Sequence, residues 1–283
     1  MSIGHERTIQ LFRNLARDGK LHHGYLFWGP ERVGKRTVAH ELAREFERGV
    51  RRADPRHSRA PLSDALCVGP DEKGSIGIDT ARAIQGFLRM TPFHSPYRTV
   101  VVDDADALTS EAQNALLTIA ERPPASSIII LIAKGSEALK PTLVSRLHKI
   151  PFSHVAPARI AEWLCETHGA LPEVARRIAE RSFGQPGRAH AMLFDDEYRA
   201  LERAAHTFLS SSPAARRAFL KDVFKEQDIR LHKFLDAIIA ELAAEKSYGA
   251  WHEVLRLRQN ADFFNLNPRL QLESLGALIS SRH

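Results

Sequence analysis

Residues 97–146 constrain the fold of this chain more than any other part of its sequence. Three consecutive valines at positions 100–102 end on two carboxylates, Asp103 and Asp104. A short β-branched run that stops on acids is typical of a buried strand in a parallel sheet, with the acids at the carboxyl end of the strand. The sequence therefore predicts a central strand with polar chemistry at its end.

A helix and a second strand follow this first strand. Thr109 begins a helical pattern with apolar residues on one face, and Pro123 and Pro124 end it. Residues 128–132 are all apolar and predict another buried strand. Strand, helix and strand in this order indicate an α/β fold.

A glycine loop lies upstream, between a predicted strand at residues 25–28 and an amphipathic helix that runs to Phe46. Strand, glycine loop and helix is the context of a phosphate-binding loop. Gly29 and Gly34 let the backbone curl so that its N–H groups point inward, and Lys35 adds positive charge where phosphates would lie. The sequence therefore predicts a phosphate site.

The position after Lys35 departs from the phosphate-loop pattern. A hydroxyl is needed there to ligate magnesium, but the residue is Arg36, and Thr37 comes one position late. One residue rotates a helical side chain by about 100°, so Thr37 cannot simply substitute. Phosphate binding is compatible with this loop, whereas the missing hydroxyl argues against a well-placed magnesium ion and therefore against hydrolysis.

The chain resembles the delta-prime subunits of the bacterial DNA polymerase III clamp loader, which belong to the AAA+ ATPase superfamily. The resemblance covers about residues 1–195, and its most specific part runs from Asp103 to Arg146. The matching segments are residues 3–6, 21–27, 29–35, 103–106, 112–117, 123–124 and 141–146.

The resemblance implies an α/β architecture with a RecA-like parallel sheet flanked by helices, followed by a small helical lid and a C-terminal helical collar. The expected boundaries are residues 1–153 for the AAA+ domain, 154–204 for the lid and 205–283 for the collar. Amphipathic helices fill the last part of the sequence, as a collar or any other helical bundle requires.

The same resemblance assigns a nucleotide site. The residues expected to contact nucleotide are Gly29, Gly34, Lys35, Thr37, Asp103, Asp104 and Arg188. Asp103 would help to hold the metal, Asp104 stands where a water-orienting glutamate is usual, and Arg188 would reach back from the lid. The alternatives are roles without nucleotide contact: the two acids would cap the end of a strand, and Arg188 would be an ordinary arginine at a helix N-terminus.

Three positions of this site differ from a working hydrolase: Arg36, Asp104, and the segment 133–135 where a polar residue should sense the γ-phosphate. Ala133 and Gly135 have no suitable side chain, and we expect Lys134 to point to solvent. The implied ligand, ATP or ADP with magnesium, would therefore bind weakly or not at all, and we expect the chain itself to lack ATPase and polymerase activity.

Arg146 keeps its register within the Ser-Arg-Cys motif of clamp loaders, which reads Ser145-Arg146-Leu147 here. The resemblance implies that this arginine acts in trans, on ATP bound by a neighbouring subunit. A guanidinium in that role neutralises charge that develops on the γ-phosphate. The alternative is a surface arginine that pairs with a local acid.

The implied partners are the gamma/tau and delta subunits, the sliding clamp through a weak contact, and primer–template DNA. The formal net charge of +6 is compatible with DNA contact, but also with an ordinary solvated surface. Residues 47–75 indicate an irregular insertion rich in arginine, which either contacts a phosphate backbone or is a solvated loop.

No metal site is expected. Only Cys67 stands in the region where related motor subunits have a four-cysteine zinc module, and Cys165 is far from it. The paired histidines His22 and His23 favour packing over metal binding, because they lack nearby partners. Two unpatterned cysteines and the absence of a long apolar run or leader predict a cytoplasmic protein with no membrane span.

Two hypotheses of different classes follow. In the first, the chain is a non-hydrolysing stator of a clamp loader that supplies Arg146 to an adjacent ATPase subunit during loading of the sliding clamp onto primed DNA. In the second, it is an ATP-hydrolysing AAA+ motor subunit or another P-loop ATPase. ATP turnover by the isolated chain separates them.

Overall fold

The computed structural model describes residues 2–48, 62–226, 231–244, 251–261 and 268–280. The chain divides into two compact units, residues 1–188 and 189–283. Each is described by itself. The finer division into a lid at residues 154–204 and a collar at residues 205–283 stays a prediction.

A five-stranded parallel sheet forms the centre of the first unit. Its strands are β1 (Gly24–Trp28), β2 (Ala65–Val68), β3 (Arg98–Val102), β4 (Ser127–Ala133) and β5 (His148–Pro151). Their spatial order is β2-β3-β4-β1-β5. All strands therefore begin at one end of the sheet, the amino end, and finish at the other, the carboxyl end.

Helices cover both faces of the sheet in this unit. They are α1 (Glu6–Arg17) and α2 (Lys35–Arg48) on one face, and α3 (Ile78–Arg89), α4 (Ser110–Glu121) and α5 (Pro141–Val144) on the other. Three further helices follow in the chain, namely α6 (Pro157–His168), α7 (Pro172–Arg181) and α8 (Pro186–Phe194), the last of which contains the boundary between the units.

Alternate residues of the central strands belong to two separate hydrophobic cores. In β1, Leu26 packs with α3 and α4, whereas Phe27 packs with Phe12 of α1 and Leu42 of α2. All residues of β3 and β4 are buried. This burial on both faces explains why those strands are uninterrupted apolar runs in the sequence.

The predicted strands at residues 25–28, 100–102 and 128–132 are confirmed, and so is the helix that Thr109 begins. The Thr109 hydroxyl accepts a hydrogen bond from the backbone N–H of Ala112 at 3.2 Å. This is the cap that the sequence predicted, and it fixes the start of α4 directly after the acids.

Both edge strands escaped prediction. β2 lies within the segment 47–75 that the sequence described as irregular, so that description is wrong for residues 65–68. β5 contains Lys149 and Pro151 and has mostly exposed residues. Edge strands need no apolar residues on both faces, so their sequences lack the signal of the central strands.

Residues 49–61 lie outside the described part of the chain, and with them Arg51, Arg52, Arg56 and Arg59. The two alternatives for these arginines, a solvated loop or contact with a phosphate backbone, therefore both stay open.

Helices α4 and α5 are joined through Gln113, which is 5% exposed. Its amide nitrogen donates to the carbonyl oxygens of Leu108 and Ala138, and its amide oxygen accepts from the backbone N–H of Lys140 at 2.7 Å. Lys140 directly precedes α5. This buried hydrogen-bonded amide thus fixes the position of α5 relative to α4.

The second unit is helical over its described residues. Its further helices are α9 (Asp196–Ser210), α10 (Pro213–Glu226), α11 (Leu231–Ala244), α12 (Trp251–Ala261) and α13 (Pro268–Ser280). Phe208, Phe234 and Leu272 are among its fully buried core residues. Across the described helices of the chain, none combines the length and apolarity that a membrane crossing needs.

Candidate functional site

The loop between β1 and α2 lies at the carboxyl end of the sheet. Gly29 has a φ of 137° and Gly34 a φ of 109°, both in the left-handed region that favours glycine. A Cβ at Gly29 would overlap the carbonyl oxygen of Phe152. The loop therefore has the sharply curled backbone that phosphate binding requires, and Gly29 is needed for it.

Lys35 is 7% exposed and its side chain ends within this loop. Its Nζ donates to the carbonyl oxygen of Gly29 and, at 2.7 Å, to that of Pro30. Burial lowers the pKa of Lys35, while the carboxylates of Asp106 and Glu31 act in the opposite direction. The predicted phosphate-binding cation thus lies in the loop, hydrogen-bonded to the loop's own backbone.

Arg36 forms an ion pair with the acid that was expected to hold the metal. Its Nη1 lies 3.1 Å from Oδ2 of Asp103. Thr37 is exposed in the first turn of α2, one position beyond. A guanidinium beside Asp103 supplies the positive charge that a divalent cation would supply, and it would repel such a cation. The loop and Lys35 fit a phosphate group, but Arg36 and Asp103 do not fit a magnesium ion.

Asp104 follows Asp103 in a left-handed conformation, with φ 53° and ψ 54°. This backbone, uncommon for residues other than glycine, turns the chain into a short 3₁₀ helix at residues 105–107. Partial desolvation raises the pKa of the Asp104 carboxyl, Lys134 opposes this, and Asp106 adds to it. The acids therefore gather at the carboxyl end of β3, and their role toward nucleotide stays a prediction.

Lys134 follows β4 and was expected to point to solvent. Its side chain is 60% exposed, yet Nζ lies 2.7 Å from Oε1 of Glu31 in the loop. Its backbone N–H donates to Asp106 at 2.8 Å, and its carbonyl oxygen accepts from the N–H of Gly29. Lys134 is therefore exposed, as expected, and because β4 pairs with β1 it also lies beside the loop, where it has an acidic partner that the sequence did not reveal.

Arg188 lies at the start of α8, and its guanidinium stacks on the ring of Phe183 with 4.9 Å to the centroid. The neighbouring Gly187 donates its backbone N–H to the carbonyl oxygen of Arg32 in the phosphate loop, at 2.9 Å. The first turn of α8 therefore contacts the loop. This agrees with a position near the nucleotide site, but the contact of Arg188 with nucleotide stays a prediction.

His5 supports the loop from the other side, a role that sequence reasoning missed. It is 6% exposed, its Nε2 lies 2.9 Å from the carbonyl oxygen of Val33, and its ring packs 4.5 Å from that of Phe152. Burial lowers the pKa of His5, although the contact with Val33 acts in the opposite direction. Its presence in the matched segment 3–6 was the only signal in the sequence.

Arg146 lies at the opposite end of the sheet. It follows α5 and precedes β5, whose first residue His148 is paired with Tyr25 near the start of β1. Its Nη2 lies 2.7 Å from Oε1 of Glu121, and its Nη1 donates to the carbonyl oxygen of Thr142 at 2.6 Å. Glu121 is thus the local acid that the alternative interpretation, a surface arginine in an ion pair, requires. Even so, 37% of the Arg146 side chain remains exposed.

The predicted site residues thus fall into two groups. Those at the carboxyl end are Gly29, Gly34, Lys35, Thr37, Asp103 and Asp104, with α8 and Arg188 beside the loop. Arg146 is the exception, at the amino end, where His22, His23 and His148 also pack together. The described residues contain no group of acids, histidines or cysteines that could hold a metal ion.

The family described as "DNA polymerase III, delta subunit" matches residues 4–156. The delta' subunit of Bacillus subtilis DNA polymerase III is 29% identical over 181 residues, which cover 61% of this chain and 54% of the relative. The gamma/tau subunit of Mycobacterium tuberculosis is 30% identical over 187 residues, which cover 61% of this chain and 32% of the relative. The chain thus spans about a third to a half of the length of these curated relatives.

A solved structure also resembles this chain along nearly its whole length. A Thermotoga maritima protein related to the DNA polymerase III gamma subunit has a TM-score of 0.61 and 19% identity, covering 96% of this chain and 99% of that one. At this identity the likeness shows a common fold. The family match, which includes the phosphate loop, the acids and Arg146, carries the assignment, and the chain therefore belongs to the DNA polymerase III delta-subunit family.

Proposed function

We propose that this chain is a stator of the clamp loader that supplies Arg146 to ATP bound by a neighbouring subunit. The single observation that carries the proposal is the position of Arg146 at the amino end of the sheet, whereas the chain's own phosphate loop is at the carboxyl end. An arginine placed in this way serves a phosphate outside its own subunit.

The register of the sheet gives the distance between Arg146 and the phosphate loop of the same chain. His148 is level with Tyr25, and Tyr25 is four residues from Gly29. At about 3.3 Å per residue, four residues span about 13 Å, and Arg146 lies a further two residues before β5 begins. An arginine side chain that is also bonded to Glu121 and Thr142 does not bridge that distance.

The carboxyl end supports the second part of the proposal, that the chain is not itself a motor. The acid expected to hold the metal is paired with Arg36. In the segment 133–135, where a residue should sense the γ-phosphate, Ala133 and Gly135 have no polar side-chain atom and Lys134 pairs with Glu31. A hydrolase that depends on a metal needs both functions in its own site.

We further propose that the gamma/tau and delta subunits are its partners in the clamp loader, and that the assembly contacts the sliding clamp and primer–template DNA. The named relatives are gamma/tau and delta' subunits of DNA polymerase III. We expect any contact of this chain with the sliding clamp to be weak. ATP or ADP would bind to its own loop weakly or not at all.

The second candidate, an ATPase acting alone, is favoured by one observation. The loop keeps both glycine conformations and a buried lysine. ATP turnover by the isolated chain with magnesium decides between the candidates. We expect no turnover, and we expect stimulation of partner subunits when the chain is added to them with primed DNA.

Arg146→Ala tests the role in trans within the assembled complex. Arg17→Ala is the matched control, because Arg17 is also exposed and also pairs with a local acid, Asp18. We expect Arg146→Ala to assemble normally and to lower the DNA-dependent ATPase sharply, while Arg17→Ala leaves it unchanged. Normal turnover of the Arg146→Ala complex would contradict the proposal.

A further inference from the structure

Glu121 is the last residue of α4, and its carboxylate contacts the guanidinium of Arg146. The Nη2–Oε1 distance of 2.7 Å is that of a charge-assisted hydrogen bond. The other terminal nitrogen, Nη1, donates to the carbonyl oxygen of Thr142 at 2.6 Å, and lies 3.4 Å from Oγ of Ser145. The guanidinium is therefore held from two directions, by α4 and by α5.

These contacts leave room for another ligand. A guanidinium has five N–H donors in a planar fork, and the contacts with Glu121 and Thr142 are made by one nitrogen each. The arginine side chain is 37% exposed, and that of Glu121 is 50% exposed. The guanidinium can accordingly bond to Glu121 and still present donors at the surface.

Both anchors of Arg146 belong to elements whose positions are themselves fixed. The backbone before Glu121 is held by His23, whose Nε2 lies 3.1 Å from the carbonyl oxygen of Ala120. The buried amide of Gln113 joins α4 to the residues that precede α5. A carboxylate on such a framework sets the direction of its partner more closely than one on a loop would.

We propose that Glu121 is a positioning residue for Arg146: it holds the guanidinium in one conformation before a neighbouring subunit docks. The inference rests on the proposed function and deepens it. An arginine side chain has many rotamers, and the freedom it loses on binding phosphate opposes the reaction. A carboxylate that has already fixed the side chain removes part of that cost from the catalytic step.

The test is the DNA-dependent ATPase of the assembled complex with full-length variants of this chain. We expect Glu121→Ala to lower kcat roughly tenfold with KM for ATP nearly unchanged, because ground-state binding of ATP belongs to the neighbouring subunit. Glu121→Gln keeps an acceptor oxygen for the guanidinium, and we expect it to recover a large part of the lost kcat.

Glu111→Ala is the matched control, since it removes an exposed acid from the first turn of the same helix. It should leave kcat unchanged. The double variant Glu121→Ala/Arg146→Ala should be no slower than Arg146→Ala alone, because two residues that act as one unit are not additive. Melting curves of the isolated variants show whether each one folds.

The outcomes separate the two proposals. Wild-type kcat in Glu121→Ala, together with a strong loss in Arg146→Ala, would overturn the positioning role and leave the role of Arg146 intact. A raised kcat in Glu121→Ala would also overturn it, since Glu121 would then compete with the phosphate for the guanidinium. Wild-type kcat in Arg146→Ala would overturn the role in trans, and the positioning role with it.

Discussion

The two ends of the central sheet use similar charges in opposite ways. At the carboxyl end, Arg36 pairs with Asp103 and Lys134 pairs with Glu31, so cations and acids of one site neutralise each other. At the amino end, the pair of Arg146 and Glu121 lies beside the short helix α5, at the surface. The first arrangement pairs the charges of the predicted nucleotide site with one another, whereas the second leaves 37% of the Arg146 side chain exposed.

Under the proposed function, this difference separates an activity that is lost from one that is kept. Metal-dependent hydrolysis at the carboxyl end needs several groups that act together, so we infer that Arg36 is enough to prevent it. The role proposed for the amino end needs one guanidinium and its support, and it does not depend on hydrolysis by the chain itself.

The largest expected effect comes from Arg146→Lys at the amino end. Lysine keeps the charge but lacks the planar fork that can bond to Glu121, Thr142 and a phosphate together. We expect hydrolysis at the adjoining site to fall by on the order of a hundredfold, which is less than the roughly 10³–10⁵-fold that an arginine acting in trans contributes, because lysine keeps the charge. Single-turnover ATP hydrolysis by the assembled complex measures this, and near-normal rates would show that charge alone is sufficient.

Gly29→Ala is the next in size and probes the carboxyl end. Its Cβ would overlap Phe152 O, and its φ of 137° is strained for any other residue. We expect a loss of about 2 kcal/mol or more in the free energy of unfolding, measured by urea denaturation. Gly69→Ala is the control, because a Cβ there meets no atom within 4 Å. Equal stability of the two variants would mean that the loop adjusts freely.

Arg36→Thr is expected to restore a metal requirement at the carboxyl end. It frees Asp103 and places a hydroxyl directly after Lys35. Magnesium should then strengthen the binding of ADP to this variant about tenfold, which corresponds to about 1.4 kcal/mol. In the wild type, magnesium should have little effect on the affinity for ADP. Titration calorimetry with magnesium or with a chelator measures both, and Arg36→Lys controls for the charge. A similar magnesium effect in the wild type would break the comparison between the two ends.

The smallest expected effect is the pH dependence of stability that His5 contributes. Its pKa is lowered by burial in the folded chain. The unfolded chain therefore binds more protons as the pH falls through the ordinary histidine range near 6.5, and stability decreases below that pH. In His5→Gln, the melting temperature should fall less between pH 7 and pH 5 than in the wild type. An unchanged pH profile would show that His5 can be protonated without disturbing the loop.

The central part of the fold could be predicted because burial on both faces leaves a plain record in the sequence. Residues 100–102 and 128–132 are apolar without interruption, and Thr109 and Pro123 bound the helix between them. β2 and β5 have no such uninterrupted apolar run, because an edge strand can include exposed residues such as Cys67 and Lys149. The sequence therefore predicted three strands of a five-stranded sheet.

The candidate site shows the same limit. Sequence motifs predicted the loop and the acids, and the resemblance to clamp-loader subunits predicted a role for Arg146, since each of these residues belongs to a continuous segment. The pairs Arg36–Asp103, Lys134–Glu31 and Arg146–Glu121 join residues that are distant in the chain and meet only through the order of the strands. A charged residue alone does not reveal its partner, which is why the pairing of Lys134 with Glu31 was not predicted although its exposure was.

Strand β5 has a mechanical consequence. Arg146 lies two residues before the start of this short strand, and Phe152 directly follows its end. The position of Phe152 is fixed, because its backbone N–H donates to the carbonyl oxygen of Trp28 and its own carbonyl oxygen lies against Gly29. Strand β5 pairs with β1 from His148 to Pro151, so a displacement of this strand would move the backbone at both of its ends. A change in its register would therefore alter the position of Arg146 and the contact of Phe152 with Gly29 together.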